Sequence, residues 1–391
     1  MKLTHGAHLA YCTNVHRGRD WQETLQSLTT HVLAVRGRVC PDRPFAIGLR
    51  LSDTASRELA VPDTLQKFQD WLRKNQCYVF TINGFPYGNF HGSRVKEQVA
   101  QPDWAHPERL DYTSRLFDIL AALLPEGVTG SVSTVPVSFK QFNLTTTQMQ
   151  LACQQLWACV EHLDDIRSRT GIELHLGLEP EPFGTVENTE EFLELFHQVQ
   201  NEHRGDDRLQ RHLGINYDTC HFALQYEAPD SSLSRLLESG VRVSKLHLSN
   251  ALRVRPTPEV LKALVAFEDG VYFHQVIERR SDGSLVRYPD LDRALAAARN
   301  GEVSGQAEWR VHFHIPLHAP EGIDWGTTAD HLRGTMAFLG KHPHLCQHLE
   351  METYTWEVLP DGWKDHSVEE MLAKEYRWTL DQLAPYGFHP V

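Results

Sequence analysis

No CxxC pair occurs in this 391-residue chain, and its seven cysteines (Cys12, Cys40, Cys77, Cys153, Cys159, Cys220 and Cys346) are odd in number and irregularly spaced. A disulfide framework or a zinc ribbon is therefore excluded as the basis of the fold. Long apolar runs are missing too. None approaches the roughly 20 residues of a membrane span, and the start, MKLTHGAHLAYCTNVHRG, lacks the apolar core of a signal peptide. A cytoplasmic, reducing setting with no membrane span is the expectation. Positive charge is scarce: 38 Lys and Arg stand against 51 Asp and Glu, a net charge of -13. A phosphate backbone is repelled on average, which argues against general nucleic-acid binding. No glycine-rich phosphate fingerprint follows the first strand candidate, which disfavours a dinucleotide fold. No internal repeat or low-complexity tract is present.

What is present is alternation. Eight apolar, β-branched runs lie at 8–14, 45–52, 78–84, 130–139, 173–179, 212–218, 243–249 and 348–354, each followed by a helical pattern. Eight βα units predict an α/β fold closed into a (β/α)8 TIM barrel, a single domain over 1–391. Residues 251–318 are too long for a loop between strands seven and eight. They predict an insertion at the barrel mouth with a helix (TPEVLKALVAF), a hairpin turning at SDGS and a strand through WRVHFHIPLH.

A barrel of this kind works at the C-terminal ends of its strands. Strand five ends in LGLEPEPFG with Glu179 and Glu181, strand six in DTCH with Asp218 and His221, strand seven carries His247, and strand eight carries Glu350 and Glu352. Any one of these alone is ordinarily a solvated rim residue. Together, three carboxylates and an imidazole converge, and a divalent cation is what relieves their repulsion. Glu179, Asp218, His247 and Glu352 are the predicted ligands, for zinc, manganese, cobalt or magnesium. Glu352 is chosen over Glu350 because it stands nearer the strand end; Glu350 is expected deeper and paired. Glu181 is expected to face substrate, joined by Asn83 and Tyr87 from the loop INGFPYGNFHG. His5, His8 and His16 surround strand one and are read as structural.

The order Glu, Asp-x-x-His, His, Glu on strands five to eight resembles the xylose isomerase-like TIM-barrel superfamily, which includes sugar isomerases and epimerases and the endonuclease IV type of repair enzyme. The resemblance implies one metal on those four residues, Glu179 and Glu352 as the catalytic pair, and His221 touching substrate. Its endonuclease side implies additional metal ligands, here His91, His221, His312 and His314. More narrowly, NGFPYGNFHG, LEPEPFG, NYDTCHFA, KLHLSNAL, HFHIPLH and EMETYTWEVLP resemble the EboE family, linked to metabolite traffic. The resulting expectation is a metal-dependent isomerase or epimerase acting on a sugar-like or polyhydroxylated small metabolite. A multinuclear, zinc-type metallohydrolase or phosphoesterase is the alternative, and a non-catalytic metabolite-binding component is the third.

Overall fold

A computed structural model describes residues 1–88, 96–267, 273–319, 325–354 and 367–391. Its strands are β1 (His8–Tyr11), β2 (Phe45–Arg50), β3 (Cys77–Asn83), β4 (Gly130–Thr134), β5 (Leu174–Leu178), β6 (Leu213–Asp218), β7 (Arg242–Leu248), β8 (Asn250–Val254), β9 (Val276–Arg279), β10 (Leu285–Tyr288), β11 (Glu308–Ile315), β12 (Trp325–Thr327) and β13 (His348–Met351). Eight of them form one parallel sheet in the order β1-β13-β7-β6-β5-β4-β3-β2. A parallel bridge between Cys12 and Gly48 joins its two edges, closing a (β/α)8 barrel. Both faces of these strands are buried, one by the barrel interior and one by the helices, which is why they read as near-continuous apolar runs. Several are shorter than their sequence runs. β4 stops at Thr134, because Pro136 has no N–H to give the ladder and Val137 turns to a φ of 68°.

The other five strands form an antiparallel sheet, β10-β9-β11-β8-β12. It begins one residue after β7, with only Ser249 between, and runs on to Thr327, beyond the 251–318 read from sequence. Leu252, Val254, Trp309, Val311, Phe313 and Ile315 pack it against the helices Pro258–Leu264 and Leu291–Arg299. It is tied to the barrel loops by Arg287, which donates to Glu187 Oε2 at 2.8 Å and to Gln225 Oε1 at 2.6 Å. Among the described residues no helix is long and apolar enough to cross a membrane.

The helix Val368–Leu383 supplies a second tie. Its Glu375, fully buried, accepts hydrogen bonds at Oε1 from Leu317 N (2.9 Å) and Thr353 Oγ1 (2.7 Å). Burial pushes this carboxyl up from 4.5 to about 7, against the pull of those two bonds. Between those values the folded protein keeps a proton that the unfolded chain releases, so stability falls as pH rises. The variant Glu375→Gln keeps the acceptor and cannot ionise. From pH 5 to pH 8 its stability relative to the parent should rise by about 2.5 kcal/mol, read by chemical denaturation. An unchanged difference would show that Glu375 ionises as freely in the fold as outside it.

Candidate metal centre

Glu179 follows β5 directly, Asp218 ends β6, His247 lies in β7 and Glu352 follows β13. One donor atom from each lies within 4.8 Å of the others, and all four residues are buried. His247 Nδ1 sits among the carboxylates: 3.0 Å from Glu179 Oε1, 3.0 Å from Glu352 Oε2 and 3.5 Å from Asp218 Oδ2. The outward-facing atoms are already used. Asp218 Oδ1 accepts from Cys220 N (2.8 Å), His221 N (3.1 Å) and Ser249 Oγ (2.7 Å), capping the helix Thr219–Leu224. Glu352 Oε1 accepts from Asn14 Nδ2 (2.7 Å) and Asn83 Nδ2 (3.0 Å). His247 Nε2 donates to Glu350 Oε2 at 2.8 Å. Buried Glu179 Oε2 and Asp218 Oδ2 accept no hydrogen bond among the described residues. A buried carboxylate oxygen without a donor is costly, and three oxygens with one ring nitrogen fit a divalent cation.

Charges follow this geometry. Burial pulls His247 down, but Glu352 and Glu179 outweigh it and hold the ring well above the usual histidine range. Burial pushes Asp218 up, yet His221 and His314 outweigh it and hold it well below the usual carboxylate range. Burial likewise works to raise Glu350, but Lys245 and His247 bring it down to about 2.

A second set adjoins the first. The Nε2 atoms of His221, His312 and His314 form a triangle with sides of 3.1, 3.1 and 3.4 Å. Each ring donates its Nδ1–H to an oxygen: His221 to Pro180 O (2.8 Å), His312 to Gln275 Oε1 (2.7 Å) and His314 to Glu352 O (3.0 Å). The three Nε2 atoms therefore face one another, and each offers a lone pair to an ion when its ring is neutral. A tetrahedral ion with nitrogen ligands at about 2.0–2.1 Å has N···N edges of about 3.3–3.4 Å, close to this triangle. Glu181 Oε2 lies 3.2 Å from His221 Nε2, and donor atoms of Asp218, His221 and His314 lie within 4.8 Å of one another, so Asp218 borders both sets. Burial pushes Glu181 up to about 8, with His221 pulling the other way. Burial works to lower His221, but Asp218 and Glu181 raise it to about 9. His312, buried beside His221 and His314, is held well below the usual histidine range.

Both sets open on a pocket walled by Phe85, Phe139, Phe273 and Tyr354, with Lys96 at its side. Asn83, Glu181 and His221 line it. Tyr87 does not: its ring packs edge-on against Tyr112 at 5.0 Å, because an aromatic partner in the core of the next helix outcompetes the open mouth. His91 lies outside the described residues. Three contributors escaped the sequence reading. Asn14 holds Glu352, Gln275 orients His312, and Lys245 donates to Glu350 at 2.7 Å. Lys245 left one signal, its place two residues before His247 on the same strand face.

No family model matches the sequence, and no curated protein matches it. Solved structures do share its fold. A xylose isomerase-like TIM-barrel protein from Mycobacterium smegmatis, in complex with magnesium, aligns at a TM-score of 0.54 with 12% identity, over 97% of each chain. A D-tagatose 3-epimerase-like protein aligns at 0.51 with 11% identity, over 97% of each chain. An L-ribulose 3-epimerase aligns at 0.51 with 10% identity, over 99% of this chain and 96% of its own. The chain thus shares with these structures the (β/α)8 TIM-barrel fold.

Proposed function

We propose that this protein is a divalent-metal-dependent isomerase or epimerase acting on a small hydroxycarbonyl metabolite. The carrying observation is the set Glu179, Asp218, His247 and Glu352, with its unsatisfied inward oxygens at the floor of a cavity. A divalent ion there supplies charge stabilisation to the oxygens of a carbonyl compound. Glu179 and Glu352 reach His247 Nδ1 from different strands at 3.0 Å each. One takes the proton beside the carbonyl and the other returns it from the opposite face. Asn14 and Asn83 hold Glu352 Oε1 and so fix its carboxylate, with Oε2 towards the donor set. Glu181 and His221, on the cavity wall, hold substrate oxygens. The epimerase names of two neighbours in fold support the reaction class, and the EboE-like motifs support a small metabolite as ligand.

Deuterium exchange tests this reading. The metal-loaded protein is incubated in heavy water with tagatose, ribulose and other ketoses and followed by NMR. Deuterium should enter at one of the two carbons beside the carbonyl, C1 for an isomerase or C3 for an epimerase, and at no carbon farther away, and Glu352→Gln should abolish it. No exchange into any hydroxycarbonyl compound would sink the proposal.

The histidine triangle favours a second reading, a two-metal hydrolase. His221, His312 and His314 with Glu181 would hold one ion and the carboxylate set the other, Asp218 bordering both. Two adjacent ions supply water activation and stabilisation of a leaving oxygen. Phosphate release from small phosphoesters, without deuterium exchange, would select this reading. Saturable binding of a metabolite with neither reaction would identify a binding component.

A further inference from the structure

We propose that Lys245, acting through Glu350, is a positioning residue that fixes which nitrogen of His247 faces the three carboxylates. The inference rests on the metal reading above and extends it to the layer beneath. Lys245 and His247 are two apart on β7, so both point into the barrel. Glu350 pairs in register with His247 on the adjacent β13. Lys245 Nζ donates to Glu350 Oε2 at 2.7 Å and to Ser133 Oγ at 3.2 Å. His247 Nε2 donates to that same Oε2 at 2.8 Å. All three side chains are 0% exposed.

The far wall is shaped for this carboxylate. A Cβ on Gly48 of β2 would stand 1.8 Å from Glu350 Oε1 and 2.7 Å from Tyr11 O. Any other residue there would evict Glu350 or spread the barrel, so this glycine serves space, not backbone conformation. The result is a buried chain, Lys245 to Glu350 to His247, ending at Glu179, Asp218 and Glu352.

Its logic is directional. An ionised carboxylate only accepts, so a hydrogen on His247 stays on Nε2, and Nδ1 is the nitrogen that gives up its proton when an ion enters the donor set. The ammonium compensates the charge of Glu350 where no water reaches. Without it, a lone buried carboxylate gains by turning away from its site. His247 then loses the partner that orients its ring.

Cobalt(II) is the probe, added to full-length protein stripped of metal by chelation. Lys245→Met should weaken cobalt binding by roughly 10–100-fold and change the visible absorption of the cobalt complex. In the double variant Lys245→Met/Glu350→Leu the buried charge is gone as well. Its stability should recover relative to the single variant, while the affinity and the spectrum should not. Parent-like affinity and spectrum in Lys245→Met, or their recovery in the double variant, would overturn the proposal and leave the pair a packing feature. A crystal structure of metal-free Lys245→Met decides the point without any ion. Glu350 should have left His247 Nε2; an intact 2.8 Å contact would refute the positioning role. If the parent itself binds no cobalt, the metal reading fails by that result, and the metal-free structure still judges Lys245.

Discussion

Exchanging Asp218 for Asn should empty the carboxylate set of its ion without undoing the start of the helix Thr219–Leu224. Asp218 Oδ1 already accepts three hydrogen bonds, from Cys220 N, His221 N and Ser249 Oγ. The amide oxygen must take that position, because the NH2 group cannot accept. The NH2 then stands where Oδ2 stood, facing the carboxylates and His247, and it cannot ligate. The helix start survives, since Asn caps as well as Asp. Metal per chain, by plasma mass spectrometry, should fall by the ion that the carboxylate set holds. The stabilisation that an ion at a thousand times its Kd gives the parent, about 4 kcal/mol, should vanish with it. Parent-like metal content in Asp218→Asn would remove Asp218 from the ligands altogether.

The second large effect separates the two sets. Replacing His312 and His314 together by Ala removes two corners of the triangle and leaves His221 with Glu181, too few protein ligands for a tight zinc-type site. The carboxylate set keeps its four members. On the two-metal reading, metal content should drop from two ions per chain to one, and the remaining ion should exchange with magnesium or manganese more readily than the lost one did. If the parent carries a single ion and the double variant carries it too, the triangle holds no metal and the two-metal hydrolase loses its support. Deuterium exchange measured on the same sample shows which ion the chemistry needs.

Much of the barrel is legible in the sequence because periodicity of burial is local. Each strand is buried on both faces, so its residues read as an apolar run whatever the rest of the chain does. The acidic strand ends are legible for the same reason: a charge that closes an apolar run needs an explanation. How the oxygens are shared out is not. That Glu352 gives Oε1 to Asn14 and Asn83 and keeps Oε2 inward depends on closure between strands hundreds of residues apart. Tyr87 failed for a related reason. A tyrosine in a glycine- and proline-rich loop has no periodic neighbour, and the nearby Tyr112 decides where its ring goes. Gln275 was hidden because an uncharged amide on a hairpin looks the same whether it meets water or the Nδ1 of His312. The wider reach of the second sheet, to Thr327, turns on three residues of β12, too short a strand to show a pattern.

The bond from Asn14 to Glu352 spans 338 residues. It joins the turn after the first strand to the residue after the last, across the parallel pair β1–β13. Contacts this distant in sequence form late, after the loops between them have closed. During synthesis the amino-terminal strands emerge long before Glu352 exists, and the interior of an incomplete barrel stays open to water. The carboxylate set therefore cannot assemble on a nascent or truncated chain, and ion capture becomes a readout of finished folding. A ribosome-bound series of increasing length should acquire metal in one step, once residue 352 and the following helix have cleared the exit tunnel.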